Sequence, residues 1–177
     1  MAAPLLKRAL WAAGAALAAG VLLALALHGE RPGPGEERFA AAGLMVGIAP
    51  ATVTGVEVIA GARRWRFARA GSVWQVAEAA LPPPVDFAAR IESGLTLLHN
   101  AAPERILSGD ELVAQASFGL DPPALTVVAT GAARFATAFG TSNPLGLARY
   151  ARVEGKSDVA LVPGYLVEAW ETVVGLR

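Results

Sequence analysis

The sequence predicts an α+β fold behind a transmembrane helix, and three observations predict it. An uncharged apolar run lies near the amino terminus, Gly-punctuated stretches of alternating aromatic and polar residues follow, and apolar residues at helical spacing close each half of what remains. The chain has 177 residues, room for one ordinary domain and a tail. Lys plus Arg and Asp plus Glu are 15 each, so the net charge is zero. Such a chain lacks the global basic field that nucleic-acid binding needs, and no nucleic-acid partner is expected. With no cysteine, disulfides, thiolate metal sites and cysteine nucleophiles are all excluded.

The apolar run opens at Ala9 and closes at Leu27, with 17 apolar residues in 19. As a helix it covers about 28 Å, close to the hydrocarbon thickness of a bilayer. Lys7 and Arg8 precede it, whereas the following flank mixes Arg31 and Arg38 with Glu30, Glu36 and Glu37. The positive-inside bias then places residues 1–8 in the cytoplasm, a single span at 9–27 in the lipid bilayer, and everything beyond outside the cytoplasm. The alternative is a cleaved signal peptide, since Ala24-Leu25-Ala26 has the small-x-small form; against it, the run is longer than an h-region of about 7–15 residues. Either way the rest of the chain is exported. Gly14/Ala18 and Ala16/Gly20 have the four-residue spacing that lets two membrane helices approach, a pattern that also arises in any Ala-rich helix.

Residues 28–38, Pro/Gly-rich and charged, read as a linker, which leaves 39–177 as the extracytoplasmic domain. Residues 39–48 have no period and are left undecided between a short helix and an extended lead-in. Residues 53–60 and 62–69 read as strands joined at Gly61, with Trp65 and Phe67 alternating against Arg64 and Arg66. Gly71-Ser72 turns the chain into a third strand, 73–78, carrying Trp74 and Val76. Pro82-Pro83-Pro84 ends the meander, Asp86 is a candidate N-cap, and Phe87, Ile91, Leu95 and Leu98 mark a helix ending near Asn100. In the second half, 110–117 suggests a short helix and 119–123 a turn. Strands are expected at 125–130, 132–139, 147–153 and 158–162, with 140–146 as a loop. A final helix over 165–176 carries Leu166, Ala169, Trp170 and Val173 on one stripe. Residues 56–71 and 125–140 share the rhythm of strand, Gly-centred turn and aromatic strand, so a duplicated β-β-β-α unit is expected; chance likeness among Ala/Val/Gly strands is the competing explanation. Trp65, Phe67, Trp74, Leu95, Phe135 and Trp170 are the expected core.

With these elements in order, Phe118-Gly119-Leu120-Asp121-Pro122-Pro123, a strand pair ending at Gly140, the following loop, Tyr150-Ala151-Arg152 and Val159-Ala160-Leu161-Val162 resemble the domain of unknown function family numbered 4340. The upstream order of a strand pair, Gly71 to Trp74, a Pro-rich loop and the helix from Asp86 to Leu98 follows it too, so the resemblance covers residues 53–170. It implies an exported, single-span-anchored α+β domain of a bacterium, in some members beside auxiliary components of ABC-type transporters of the gliding-motility kind. It implies no catalytic residues.

Chemistry-bearing residues are sparse. His28 and His99 are far apart in every reading and suit solvated or capping imidazoles better than a metal site or general base. Gly155-Lys156-Ser157 imitates the end of a phosphate-binding loop, but Tyr150 stands where its first Gly belongs and the tripeptide lies between strands, so it reads as a hairpin turn. Asp110 and Glu111 are adjacent and share no helix face, and Asp121 precedes two prolines as a turn former. Neither makes an acid/base pair, and no enzyme and no cofactor are expected. Arg63, Arg64, Arg66 and Arg69 form the one local charge excess, with no acid between Ala62 and Ala70. Alternation puts Arg64 and Arg66 on the face opposite Trp65 and Phe67, either simply solvated or as the contact to anionic lipid headgroups or an acidic partner, although the leaflet facing the domain is usually the less anionic one.

The expected function is a membrane-anchored, noncatalytic accessory module of an envelope protein complex in a bacterial inner membrane, its domain in the periplasm and its partner another membrane or envelope protein, including a transporter. A small-ligand or glycan-binding periplasmic domain is the alternative, although the sequence offers no surplus of exposed aromatics for a pocket.

Overall fold

The computed structural model describes residues 43–112 and 118–177, together with Ala19, Gly20 and Leu23. The chain divides into two compact units, Met1–Ala40 and Ala41–Arg177. Of the expected span, only Ala19, Gly20 and Leu23 are described, and all three are helical and exposed. The rest of it, the linker and His28 lie outside the described residues. Among the described residues no helix is long and apolar enough to cross a membrane.

The second unit is one antiparallel sheet with two helices, an α+β fold as the sequence predicts. Its strands are β1 (Val53–Ala60), β2 (Arg63–Ala70), β3 (Val73–Ala79), β4 (Arg105–Leu107), β5 (Leu125–Gly131), β6 (Arg134–Ser142), β7 (Ala148–Val153) and β8 (Val159–Pro163). The helices are α1 (Phe87–Asn100) and α2 (Gly164–Val173). In space the strands run β3-β2-β1-β5-β6-β7-β8-β4. Gly61, Gly71 and Gly155 occupy the β1–β2, β2–β3 and β7–β8 turns with φ of +59°, +64° and +77°, a region in which any Cβ is strained.

The two halves meet at the centre of the sheet, where β1 pairs antiparallel with β5 and Val58 stands opposite Val127. About that point Val56, Glu57 and Ile59 are equivalent to Leu125, Thr126 and Val128, the same correspondence that aligns the two sequence segments. Neighbours follow suit, with Phe67 beside Val56 and Phe139 beside Leu125. A local two-fold axis through the Val58/Val127 pair thus relates the hairpin β1–β2 to β5–β6. The second half departs from a β-β-β-α plan by one added strand, β8.

Both helices pack on one face of the sheet. Trp65, Phe67, Trp74, Leu95, Phe135 and Trp170 are all buried there, as expected. Where α1 crosses α2, Gly94 lets the indole of Trp170 come so near that a Cβ would sit 2.9 Å from its Cε2 and Cζ2. Of the undecided lead-in, residues 43–48 are described and form bends and a turn, neither helix nor strand: Gly43 and Met45 donate backbone N–H bonds to His99 and Leu98 carbonyls, and Met45 is fully buried.

Several expectations need correction. Asp86 stands at the N-cap position of α1, but its carboxylate accepts from Arg90 Nε at 2.8 Å instead of capping the helix. The segment expected as a helix over 110–117 opens as a 3-10 turn, Gly109–Leu112, and its remainder lies outside the described residues. Strand β6 continues to Ser142, so Gly140 belongs to it, and the loop starts at Asn143, whose Oδ1 accepts from the Leu147 and Ala148 N–H groups. Strand β4 was not expected, and α2 ends three residues early, at Val173.

Candidate functional site

Side chains alternate across a strand, so each residue next to a core residue points to the other face of the sheet. At the β4 end that face is covered. Phe118, Leu120, Leu112 and Leu107 pack on Val159, Ala138 and Tyr150 in a small second core, with the Phe118 and Tyr150 rings 4.6 Å apart. Toward the other end the face forms a groove of about 430 Å³ over β2, β1, β5, β6 and β7.

Strand register builds the groove from two neighbouring rows. One row runs Arg64, Ile59, Thr126, Ala138, Arg152, each directly opposite the next. The other runs Glu78, Arg66, Glu57, Val128, Ala136, and reaches Glu154 through the hydrogen bond from its N–H to the Ala136 carbonyl. The floor is therefore small and apolar apart from the Thr126 hydroxyl, and the charges stand at its ends.

Those charges are unequally paired. Glu57 takes Arg64 Nε at 2.9 Å and Arg66 Nε at 3.4 Å, and Arg66 also reaches Glu78 at 2.9 Å. The two arginines that the sequence singles out are thus brought together on the open face, but their charge is cancelled locally by two acids. Arg134 pairs with Glu154 at the opposite end. Among the described residues neither Arg152 nor Lys156 has a carboxylate partner. Counting Arg64, Arg66, Arg134, Arg152 and Lys156 against Glu57, Glu78 and Glu154, the groove carries a net charge of +2, contributed at the β7 end. Sequence reasoning missed Arg152 and read Lys156 only as part of a turn. Gly155 and Lys156 do form that turn, with Lys156 N–H bonded to the Val153 carbonyl, and the turn sets the lysine at the groove's edge.

The other two arginines of the sequence cluster are elsewhere. Arg69 is on the core-side face: its guanidinium lies 4.6 Å from the Trp74 ring centre and its Nη2 is 2.7 Å from Glu92 Oε1 on α1, which also accepts from Trp74 Nε1 at 2.8 Å. That charge contact is close but not aligned as a hydrogen bond. Arg63 lines a separate depression beside the β1–β2 turn. His99 stands in the last turn of α1 and its Nδ1 lies 3.2 Å from the Met45 carbonyl, which can only accept, so in that hydrogen bond Nδ1 is the donor. Asp121 sits in the 119–123 turn segment, and Glu111 pairs with Arg105.

No family model, no curated protein and no solved structure matches the chain.

Proposed function

We propose that this protein is a noncatalytic, membrane-anchored accessory module of an envelope protein complex, and that the open face of its sheet is the docking surface. The observation that carries the reading is that face: a groove across five strands, open among the described residues beyond the Phe118 cluster, apolar along its floor and net positive at one end. A sheet with one face packed by helices needs no second layer for stability, so an open apolar floor is available to a partner. The uncharged run at residues 9–27 with Lys7 and Arg8 before it supports an anchor in a bacterial inner membrane and a periplasmic domain. The resemblance to family 4340 supports a transporter-associated complex.

Two experiments test this. A reporter enzyme active only in the periplasm, fused after Arg177, should be active and should sediment with membranes. A photo-crosslinking residue at Thr126 should capture one envelope protein in stoichiometric yield, whereas the same residue at Glu168 on the exposed side of α2 should not. An active cytoplasmic reporter, or equal capture at both positions, refutes the reading.

A volume of about 430 Å³ also lies in the range of ligand clefts, which favours the second reading, a small-ligand or glycan-binding domain. Among the described residues no aromatic ring lines the groove to stack on a sugar. Native mass spectrometry of the protein purified from its own host, showing a bound small molecule and no protein partner, would establish that reading instead.

A further inference from the structure

Resting on the proposal that the open sheet face docks a partner, we infer that the groove accepts an extended segment of about six residues with acidic side chains at one end, held by Arg152 and Lys156. Arg64 and Arg66, the basic residues most conspicuous in the sequence, are not its anchors.

Charge and length together select this occupant. Arg64 and Arg66 already have Glu57 and Glu78 as partners, so an incoming carboxylate there must compete with acids fixed opposite them. Arg152 and Lys156 have no such competitor among the described residues. Arg152 is half-buried, so its guanidinium fork is presented from a fixed strand, and fewer rotamers are lost on binding. Lys156 stands on the adjoining turn as a mobile point charge. From Arg152 the floor continues through Ala138, Thr126 and Ile59 to Arg64, four interstrand steps. At ~4.8 Å per step this is about 19 Å, the length of about six extended residues. Ala138 and Ile59 offer apolar contact, and the Thr126 hydroxyl offers one polar contact to the segment's backbone. The walls are side chains on a single sheet face, with no covering element over them among the described residues, a shape that suits a chain laid across it better than a small molecule needing burial on most sides.

The test is selection from a phage-displayed library of random hexapeptides on the full chain in nanodiscs, with empty nanodiscs for subtraction. Enriched sequences should carry at least two Asp or Glu at one end and small or apolar residues over the rest. Anisotropy of one labelled enriched peptide should show about tenfold weaker binding to R152Q/K156Q, and less than about twofold change for R63Q, which lies outside the groove. Two controls need no protein variant: the peptide with Gln in place of its acids should bind about tenfold more weakly, and raising salt from about 0.05 M to about 0.5 M should weaken the acidic peptide. Enrichment without acids, no enrichment over empty nanodiscs, indifference to salt, or an R152Q/K156Q variant that melts normally and binds as before would each overturn the inference. Failure here with a partner still captured through Thr126 leaves the docking surface standing and removes only the acidic segment. Acidic peptides selected with nothing captured at Thr126 would keep the groove's chemistry and remove the envelope complex.

Discussion

Gly94→Ala sets two ordinary effects against each other at the crossing of α1 and α2. In an exposed helix interior the change stabilises by about 1 kcal/mol, because Ala loses less backbone freedom than Gly. Here the new Cβ lands 2.9 Å from Trp170 Cε2 and Cζ2 and 3.2 Å from Cη2, against the ~3.5–4.0 Å of a relaxed carbon contact. Trp170 is fully buried, so the ring has no free space to swing into, and overpacking of this kind costs about 1–3 kcal/mol. The net expectation is a loss of about 1 kcal/mol, which for a domain of this size lowers the melting temperature by roughly 3–5 °C. Trp170→Phe removes the ring atoms that the Cβ meets and breaks no hydrogen bond, since the buried Nε1 has no partner among the described residues. In that background Gly94→Ala should become stabilising, a coupling of about 1–3 kcal/mol between the two sites. Thermal unfolding followed by near-ultraviolet circular dichroism on the four proteins of the cycle reads both signs. A rise in melting temperature for Gly94→Ala alone would refute the close approach of the helices.

Trp74→Ala should destabilise by about 3–5 kcal/mol, because it empties a buried site and leaves Arg69 and Glu92 without the ring and the Nε1 donor between them; an unchanged melting temperature would mean the β3 register is wrong. Replacing both Arg64 and Arg66 by Gln should change stability by less than about 1 kcal/mol, since their side chains are 45% and 47% exposed and ion pairs of this kind contribute little. The Asp86 carboxyl should titrate below the ordinary carboxylate range, held there by its hydrogen bond from Arg90, and Arg90→Gln should return it. The stabilisation from that bond is present above the unfolded value and is lost as pH falls through the folded one, so side-chain carboxyl NMR during acidification should show the bond opening late in wild type.

Much of the fold is legible because its signals are local. Trp65 and Phe67 alternate with arginines, Gly61 and Gly71 mark turns, and Ile91, Leu95 and Leu98 recur at helical spacing; each statement concerns residues within a few positions of one another. Strand β4 is illegible for the opposite reason. Arg105-Ile106-Leu107 is too short for any period, and only the arrival of β8, with Leu161, Ala160 and Val159 opposite these three, makes it a strand. The site divides in the same way. Alternation placed Arg64 and Arg66 on the open face, but their cancellation depends on Glu57 and Glu78 in neighbouring strands. Arg152 is a lone arginine between Ala151 and Val153, and nothing local distinguishes it. Loop length would not have placed it either: the register of β6 and β7 shifts between Phe139 and Ser142, and without that shift Arg152 would stand opposite Phe139 instead of Ala138.

The local two-fold axis offers an independent reason to look for function on the open face. On the helix side most equivalent residues keep their character: Val56 and Leu125, Val58 and Val127, Ala60 and Ala129, Phe67 and Phe139 are apolar and fill the core, and Trp65, matched by the buried Thr137, is the exception. On the open side they diverge. Glu57 is matched by Thr126, Arg66 by Ala138 and Arg64 by Ala136, so one half carries a neutralised ionic lattice and the other a smooth floor. Packing explains the likeness on the first face, since large changes there cost several kcal/mol. On the second, Ala138 packs against the Phe118 cluster, but among the described residues neither core dictates the Glu57/Thr126 or Arg64/Ala136 difference. An asymmetric face on a nearly symmetric frame is what recognition of a single, directional segment needs, because a symmetric groove would bind it equally well in both orientations. Arg152 and Lys156, without a carboxylate partner among the described residues, supply that direction at one end.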